Sequence, residues 1–378
     1  MNDILIAGGG LAGATAATAL AQAGREVTLI ERAATPAHKI CGEFLSAEAQ
    51  ASLSRIGFDC ARLGGQRITH VRLSRGTRSI IARLPFEGLG ITRKTLDEAL
   101  LQHAAQAGVN ILRGHAIRAI DFTTANSKAG FRLELDRAAP RAAAALFLAT
   151  GKHDARGIPR PGRPSRLVGF KTYFQLSPAQ HQALAGQVEI FMFPGGYAGM
   201  QLVETGEANL CFLAEPALLA RAAGKFPALL DLLCALCPQL GQRLAGAVAT
   251  LPAPLTIARV PYGFVYRPDR RAPPGLFRLG DQAAVIPSFT GDGMAIALHS
   301  AGLAADFHLH GATSHAYHHR LARDVRFQIH RAGALYTAAR LPPLAACFFA
   351  AARRIPQILP LCASLTRVPT AARLEFST

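Results

Sequence analysis

The chain has 378 residues, of which 50% are apolar and only 17% are charged. This composition is typical of a globular protein with a sizeable core and excludes a disordered chain. The formal net charge of +17 favours anionic partners, such as phosphate-bearing cofactors, acidic lipid surfaces or acidic proteins. Since no basic run is interleaved with aromatic residues, we expect no nucleic-acid partner.

The cysteines and the first residues indicate the cellular compartment of the protein. Seven cysteines are widely spread, and "MNDILIAGGG" enters a strand directly, without a charged leader region. Both features predict a reduced, cytoplasmic setting with free thiols. Cys234 and Cys237 form a C-x-x-C, but structural zinc needs four ligands, so we interpret them as core thiols. No window of eighteen uninterrupted apolar residues occurs, which argues against a transmembrane span.

The most informative pattern lies at the start of the chain. A short apolar strand at residues 3–7 leads into Gly8, Gly10 and Gly13, which form G-x-G-x-x-G, and an alanine-rich helix follows. In such a turn Gly8 permits the tight bend, Gly10 lets a pyrophosphate approach the backbone, and Gly13 lets helix and strand pack closely. The order of strand, glycines and helix predicts a dinucleotide-binding unit.

Two further features of this unit support that prediction. The helix begins near Leu11 and Ala12, where free amide groups and a partial positive charge favour phosphate. A second strand ends at Glu31, followed by Arg32, about twenty residues after the glycines. The Glu31 carboxylate can accept both ribose hydroxyls of an adenosine.

The middle of the chain continues with alternating element types. An arginine turn at Arg93 precedes an amphipathic helix over residues 95–107, and a strand then leads through Ile117. A hairpin near residues 131–149 ends at Gly151. Much later, a strand is followed by a loop and a helix start that contain Gly280, Asp281, Pro287, Gly291, Gly293 and Met294.

These motifs, with "ATGKHDARG" at 149–157 between them, resemble the fingerprints of FAD-dependent flavoprotein monooxygenases. They are equally similar to those of geranylgeranyl-reductase-like flavoproteins and flavin-dependent halogenases. The resemblance spans about residues 1–310 and implies the para-hydroxybenzoate hydroxylase fold: α/β, with a Rossmann-type FAD-binding domain, an inserted mixed β-sheet that covers the flavin, and a helical C-terminal tail. The middle motif departs from Asp-Gly-x-x-Ser, because Thr150 replaces the aspartate and Asp154 stands at the serine position.

The resemblance also implies a domain plan and a cofactor. We expect the FAD-binding domain over 1–165 and 258–310, with a substrate-side insertion near 60–92, the substrate-covering sheet over 166–257, and a C-terminal helical region over 311–378. Asp281 suits a ribityl hydroxyl of FAD, and the helix start at the last motif suits the anionic edge of reduced flavin. Because no second nucleotide-binding unit occurs, NADH or NADPH is expected as a transient reductant.

The stretch "HKICGEFLS" at 38–46 follows the second strand and forms neither a regular helix nor a strand pattern. Geranylgeranyl-reductase-like relatives carry Lys-x-Cys-Gly at this point, and the resemblance implies that the loop runs along the flavin. Gly42 would then let the backbone approach the ring, and Lys39 would add positive charge. Cys41 is a candidate catalytic thiol, and an inert packed thiol is the alternative.

The covering sheet supplies candidate substrate-side residues. "RLVGFKTYFQL" alternates in hydrophobicity from residue 166, which places Lys171 and Tyr173 on the face opposite the apolar one. We expect the pocket to be lined by Lys171, Tyr173, Phe193, Tyr197 and Met200. Of these, Lys171, Tyr173 and Tyr197 are candidate catalytic residues, and ordinary sheet residues are the alternative.

The C-terminal region differs in character from the rest of the chain. Residues 341–368 mix apolar runs with Arg353, Arg354 and Arg367, and prolines divide them into short helices. Either a tail packed on the domain or a peripheral membrane contact explains this pattern. The pair His315 and His319 shares one helix face, but without a carboxylate or cysteine at matching spacing we expect no metal site.

We therefore interpret the chain as a biosynthetic FAD-dependent oxidoreductase, cytoplasmic or membrane-associated. The resemblance implies a monooxygenase that hydroxylates an apolar or aromatic small molecule by way of a flavin hydroperoxide. One alternative is a reductase or dehydrogenase of a lipid or isoprenoid, and another is an accessory flavoprotein that oxidises a side chain of an acidic protein client. Tryptophan is absent, so the halogenase signature W-x-W-x-I-P is missing, which argues against halogenation.

Overall fold

The computed structural model describes residues 2–123, 130–160, 165–259, 262–269 and 272–368. The strands in these ranges are β1 Asn2–Ala7, β2 Val27–Glu31, β3 Phe44–Leu45, β4 Gln66–Arg75, β5 Arg78–Gly90, β6 Asn110–Arg113, β7 Ile117–Thr123, β8 Gly130–Leu135, β9 Arg141–Leu148, β10 Val168–Gln175, β11 Gln187–Phe193, β12 Gly196–Leu202, β13 Ala208–Ala214, β14 Val248–Ala249, β15 Leu255–Ala258, β16 Phe264–Val265, β17 Leu276–Arg278 and β18 Ala284–Val285. The helices are α1 Leu11–Gln22, α2 Ala47–Ser54, α3 Arg93–Gln106, α4 Pro178–Leu184, α5 Pro216–Arg221, α6 Phe226–Leu236, α7 Pro238–Arg243, α8 Gly293–Leu309, α9 Ser314–Arg340, α10 Pro342–Arg354 and α11 Ile358–Leu365.

The first sheet has seven strands in the order β6-β2-β1-β9-β8-β7, and β17 pairs with the second half of β9. Strands β6, β2, β1, β9 and β17 run parallel, whereas β7 and β8 form an antiparallel hairpin extension. Parallel strands end at the same edge of a sheet, where such folds bind ligands. At this edge lie the turn after β1, Glu31 at the end of β2, Ala149 after β9 and Leu279 after β17.

Small residues let α1 and α8 pack tightly on this sheet. The alanines of α1 and the apolar residues of α8 belong to one core cluster with Ile4, Ile6 and Phe147 of the strands. Fully buried parallel strands are expected to be continuously apolar, as "ILIA" in β1 is. The core thus fixes the start of α1 against the end of β1, which positions the glycine turn.

The second sheet has nine strands in the order β14-β10-β13-β12-β11-β4-β5-β3, with β15 also paired to β10. Strands β4 and β5 come from residues 66–90, yet β4 pairs with β11 in the same layer as the strands of residues 168–258. The alternation predicted in β10 is observed. Phe170 and Phe174 pack into a core with α6 and α7, and Lys171 and Tyr173 point to the other face.

The C-terminal helices pack on both units. Helix α9 packs along α8, and Phe349 of α10 and Leu359 of α11 join a core cluster with Ile80 and Leu84 of β5. Among the described residues no single helix has the length and apolar character to cross a bilayer. The strongly bent pair of α9 and α10 satisfies that criterion only when the two helices are taken together.

Candidate functional site

The glycine turn between β1 and α1 has the geometry that a pyrophosphate needs. Gly8 adopts φ +107°, and a Cβ added there would lie 2.5 Å from the Ala149 carbonyl oxygen. A Cβ at Gly13 would lie 1.8 Å from the carbonyl oxygen of Gly8. Neither position can accept a side chain, so the turn stays open above the first amides of α1.

Glu31 is held beside this turn at the end of β2. Its carboxylate accepts hydrogen bonds from the amide of Gly9 at 2.6 Å and from the amide of Ala33 at 2.9 Å. These bonds fix the side chain on the wall of the cavity, one strand away from the glycine turn. That position suits a ribose whose phosphates lie over the turn.

Two cations and one carboxylate lie next to the same turn. A Cβ on Gly10 would meet Arg93 Nη2 at 3.2 Å and Lys39 Nζ at 3.7 Å, so both cations flank the phosphate position. Arg93, in the first turn of α3, bonds Asp97 at 2.7 Å, and Lys39 pairs with the same carboxylate at 2.9 Å. Burial opposes the charge of Asp97, but the two cations hold its pKa below the ordinary value. The cluster keeps a net positive charge, which favours phosphate.

The loop over residues 38–43 is held by side chains that are distant in sequence. The Lys39 carbonyl oxygen accepts a hydrogen bond from Lys171 Nζ at 2.9 Å, and the Ile40 carbonyl oxygen accepts one from Lys152 Nζ at 2.5 Å. The Gly42 carbonyl oxygen accepts one from Asn209 Nδ2 at 2.8 Å, and the Glu43 carbonyl oxygen accepts one from Gln201 Nε2 at 2.6 Å. Three of these donors belong to the covering sheet. The loop is therefore clamped between the two sheets, with the Cys41 side chain on the cavity wall.

A buried charged network lies behind this loop. Glu43 and Lys171 are both 0% exposed and form an ion pair, and the Tyr173 hydroxyl donates to the Glu43 carboxylate at 2.9 Å. His38 Nδ1 lies 3.0 Å from the Tyr173 oxygen. Burial raises the pKa of Glu43 despite the opposing influence of Lys171. Glu43 also adopts φ +61°, a conformation that non-glycine residues rarely take and that here is held by these bonds.

One large cavity passes all of these groups. Its volume is about 940 Å³, and it runs from the glycine turn past the 38–43 loop into a chamber between the second sheet and helices α9 to α11. The chamber wall is mostly alkyl and aromatic, with Val71, Leu73, Leu84, Val188, Ile190, Met192, Leu213, Ile257, Phe289, Leu335, Phe348, Phe349 and Leu359. Such a cavity has room for an extended cofactor at one end and an apolar ligand at the other.

Most of the predicted cofactor residues meet on this cavity. They are Gly8, Gly10, Leu11, Ala12, Glu31, Arg32, Lys39, Cys41, Gly42, Arg93, Ile117, Gly151, Gly280, Asp281, Gly291, Gly293 and Met294. Gly13 acts behind the wall through helix packing. Pro287, which is also predicted to contact the cofactor, is absent from the cavity lining, although its neighbours Ile286 and Ser288 line it.

The predicted substrate-side residues are only partly at the cavity. Tyr197 lines it, whereas Lys171 and Tyr173 lie behind the 38–43 loop, and Phe193 and Met200 belong to the core between the sheet and its helices. The prediction that these four line the pocket is wrong. Strand alternation assigned the faces of β10, but it could not show that a loop from the first domain covers one of them.

Around Tyr197 the chamber wall carries hydroxyl groups. The Tyr197 hydroxyl oxygen lies 3.1 Å from that of Tyr262 and forms a hydrogen bond with Ser288 Oγ. Burial raises the pKa of both tyrosines, so they are neutral phenols over the physiological range. These hydroxyls form a polar cluster on a chamber wall that is otherwise mostly alkyl and aromatic.

The middle and third motifs are held together by residues that the sequence did not identify. Arg160 donates to the carbonyl oxygens of Asp281 at 3.0 Å and Lys152 at 2.6 Å, and its Nε donates to Asp154 at 2.6 Å. Gln282 Nε2 donates to the Gly151 carbonyl at 2.8 Å. Asp154, which stands at the serine position of the middle motif, thus orients Arg160, and Arg160 fixes the loop that carries Asp281.

The helix start at the last motif carries a buried ion pair that was not predicted. Asp292, at the N-cap position of α8, is 0% exposed, and Arg367 Nη1 donates to its Oδ1 at 3.1 Å. The Arg367 guanidinium also lies 4.3 Å from the ring centroid of Phe86. Burial raises the pKa of Asp292 to about 7, although Arg367 lowers it. This pair joins the C-terminal segment to the helix start that was assigned to the flavin.

The substitution Asp292→Asn is expected to change how stability depends on pH. An aspartate has a pKa near 3.9 when unfolded, so a folded value of about 7 means that the wild type loses stability as pH rises from about 4 to about 7. Relative to Asp292→Asn, the wild type should lose free energy of unfolding of the order of 4 kcal/mol over this pH range. Urea unfolding with saturating FAD measures this difference. Asp121→Asn, at an exposed position, should show the same dependence of stability on pH as the wild type. If Asp292→Asn also shows the wild-type dependence, the raised pKa of Asp292 is contradicted.

The remaining histidine and cysteine predictions concern sites away from the cavity. His315 Nε2 lies 3.1 Å from the carbonyl oxygen of Asp269, and Cys237 is fully buried. In the part of the chain that the structure describes, no three His, Cys, Asp or Glu side chains are placed to hold a metal ion together. The seven cysteines are unpaired thiols there.

Comparison with known proteins bears directly on the cofactor. Residues 1–149 match the family described as FAD binding domain. A menaquinone reductase of Mycolicibacterium smegmatis is 27% identical over 327 residues, which cover 82% of this chain and 77% of the relative. Together with the glycine turn, which no side chain can fill, and the acid at the end of β2, these matches identify the cofactor as FAD.

Solved structures show the same overall fold. The halogenase PltM, in complex with ethyl mercury and mercury, has a TM-score of 0.73 at 17% identity, covering 90% of this chain and 76% of the other. P. aeruginosa PqsL in complex with 2-aminobenzoylacetate has a TM-score of 0.72 at 17% identity, covering 92% and 99%. The FAD-binding-domain match and the shared fold confirm the predicted resemblance, and the chain is an FAD-dependent oxidoreductase.

Proposed function

We propose that this enzyme reduces an unsaturated isoprenoid lipid, such as the side chain of a quinone, with reduced FAD as the hydride donor. The observation that carries the proposal is the apolar chamber, which is continuous with the FAD groove at the 38–43 loop. Its aliphatic and aromatic walls match a hydrocarbon chain better than a small polar molecule. The relative named menaquinone reductase, matched over most of both chains, supports the same substrate class.

The chain's own residues bind the hydrocarbon, orient it and exclude water. Bound FAD in its reduced form would supply the hydride and become oxidised, and reduction of a double bond needs one further proton on the neighbouring carbon. Cys41 lies on the wall where the chamber meets the FAD groove, and its Sγ accepts a hydrogen bond from the Glu43 amide at 3.3 Å. We assign the Cys41 thiol as the proton donor, and the resulting thiolate would regain a proton from solvent after the product leaves. NADH or NADPH would dock transiently to return FAD to its reduced form.

The test is an anaerobic half-reaction. FAD-loaded protein, reduced with dithionite, is mixed with a menaquinone or a geranylgeranyl lipid, and flavin absorbance and the lipid mass are followed. We expect reoxidation of the flavin and a lipid that has gained two hydrogens per reduced double bond, a gain that persists after air has returned any quinol ring to the quinone. Flavin that stays reduced with every isoprenoid lipid would overturn the proposal.

Cysteine variants test the role of Cys41 separately. Cys41→Ala is expected to slow lipid reduction by at least tenfold with unchanged FAD content, because the proton donor is removed. Cys234→Ala is the matched control, since Cys234 lies away from the cavity lining in the sheet's own helices. Equal rates for the two variants would reduce Cys41 to a packing role.

A second candidate function is hydroxylation of an aromatic molecule. The cluster of hydroxyl groups around Tyr197 favours it. The hydroxyls of Tyr197, Tyr262 and Ser288 can orient a phenolic substrate within the chamber. This function requires oxygen uptake in the presence of NADH or NADPH that a phenol stimulates, with an oxygen atom added to the product. Tyr197→Phe should then weaken phenol binding, whereas it should leave isoprenoid reduction unchanged.

A further inference from the structure

The exposed apolar side chains of this protein are concentrated at one place. Eight large hydrophobic residues are exposed in the described part of the chain, and five of them lie on or beside α10 and α11, namely Leu341, Leu344, Ile355, Leu361 and Leu365. Leu344 and Leu361 expose 49% and 58% of their surface. A concentration of exposed apolar side chains on a protein surface marks an interaction site.

The same helices form the wall of the chamber with their other side. Phe348 and Phe349 of α10, and Leu359 and Cys362 of α11, line the cavity, and Phe349 and Leu359 also pack on the second sheet. Each helix is therefore apolar both inward and outward. A helix that faces water on one side normally carries polar residues there. Only this one layer of helices separates the chamber from the outer apolar face.

The segment that forms this face is rich in arginine, although Arg340 and Arg367 pair with Glu215 and Asp292. From residue 325 to residue 368 the sequence contains six arginines and neither aspartate nor glutamate. Arg353 and Arg354 are exposed at the end of α10, and Arg326 and Arg331 are exposed on α9. An apolar helix face bordered by arginines is the pattern of a helix that lies in the plane of an anionic membrane surface.

We infer that α10 and α11 dock on an anionic lipid bilayer, with their outer apolar residues among the acyl chains and the neighbouring arginines at the lipid headgroups. The chamber then lies directly behind the docked layer. This gives an isoprenoid lipid a short path from the bilayer to the flavin, and that consequence rests on the proposed function. The docking on the bilayer itself does not rest on the proposed function.

Vesicle sedimentation tests the inference with the full FAD-loaded chain. We expect the protein to pellet with phosphatidylglycerol-containing vesicles, to pellet less at high salt, and to remain in solution with pure phosphatidylcholine. The double substitution Leu344→Ser with Leu361→Ser should weaken binding at least tenfold. Its control is Val248→Ser, which removes an exposed apolar side chain on the distant β14.

A second pair of variants tests the charge. Arg353→Gln with Arg354→Gln should weaken binding to phosphatidylglycerol vesicles at least tenfold and reduce its salt dependence. Arg25→Gln with Arg221→Gln removes the same charge from exposed positions elsewhere and should leave binding unchanged. Unchanged FAD absorbance and thermal unfolding show that each variant is folded.

Three results would overturn the inference. They are no pelleting by the wild type, equal pelleting with both vesicle types, and dimers in solution that Leu344→Ser with Leu361→Ser dissociates without any effect on vesicles. Turnover of a short, water-soluble isoprenoid separates this inference from the proposed function. A protein that reduces it without binding vesicles contradicts only the docking, and a protein that binds vesicles without reducing any isoprenoid contradicts only the function.

Discussion

Gly13→Ala is expected to weaken FAD binding and to destabilise the fold. The added methyl group would lie 1.8 Å from the Gly8 carbonyl oxygen, which is backbone and cannot move aside without separating α1 from β1. Overpacking of this kind costs about 1–3 kcal/mol, and the same displacement opens the phosphate turn. We expect urea unfolding to show a loss of about 2 kcal/mol and the affinity for FAD to fall more than tenfold.

The matched control is the same change in another helix. Gly333 lies inside α9, and a Cβ added there has no heavy atom within 4 Å. Alanine is a better helix former than glycine by about 1 kcal/mol, so Gly333→Ala should stabilise the protein and leave FAD binding intact. If Gly13→Ala behaves as Gly333→Ala does, the close approach of α1 to β1 is not what the FAD site requires.

Lys171→Met is expected to destabilise the protein by about 3–5 kcal/mol, because it leaves the Glu43 carboxylate buried without its cation. Both side chains are 0% exposed, so solvent cannot replace the lost partner. Burial already raises the pKa of Glu43, and removal of Lys171 raises it further. A raised folded pKa means that stability falls as pH rises above the unfolded value near 4.3, so the defect should be larger at pH 8 than at pH 5.

The double variant Lys171→Met with Glu43→Gln isolates the ion pair. It carries no buried charge at this point, so most of the lost stability and the added pH dependence should return, as measured by urea unfolding at both pH values. The Lys39 carbonyl still loses its donor in both variants, which leaves a smaller common defect. Equal defects in the single and double variants would show that the methionine, and not the unpaired carboxylate, causes the instability.

Much of the FAD site could be predicted from local sequence. The strand, the three glycines, the helix start and Glu31 lie within about thirty residues, and each has one conformational or chemical reason that does not depend on distant contacts. The structure brings these residues together as predicted. The two faces of β10 were also predictable, because side chains alternate along a strand whatever its neighbours are.

The rest of the site depends on contacts between distant segments. Asn209 holds the Gly42 carbonyl, Lys171 pairs with Glu43, and Arg367 pairs with Asp292, across separations of 167, 128 and 75 residues by the numbering. No periodicity or spacing in the sequence records which distant side chain will meet a given loop. This is why Tyr173 was expected on the cavity and lies behind the loop instead.

The sequence by itself thus determined that the first domain binds a dinucleotide, and which turn binds it, because that recognition is local and steric. The tertiary structure alone decided where the chamber lies and which residues wall it. The chamber is enclosed by one sheet and by helices α9 to α11, which are far apart in the chain, and an enclosed apolar volume exists only when those elements pack together. Burial then sets the charge state of groups such as Glu43 and Asp292, whose pKa values depend on removal from water.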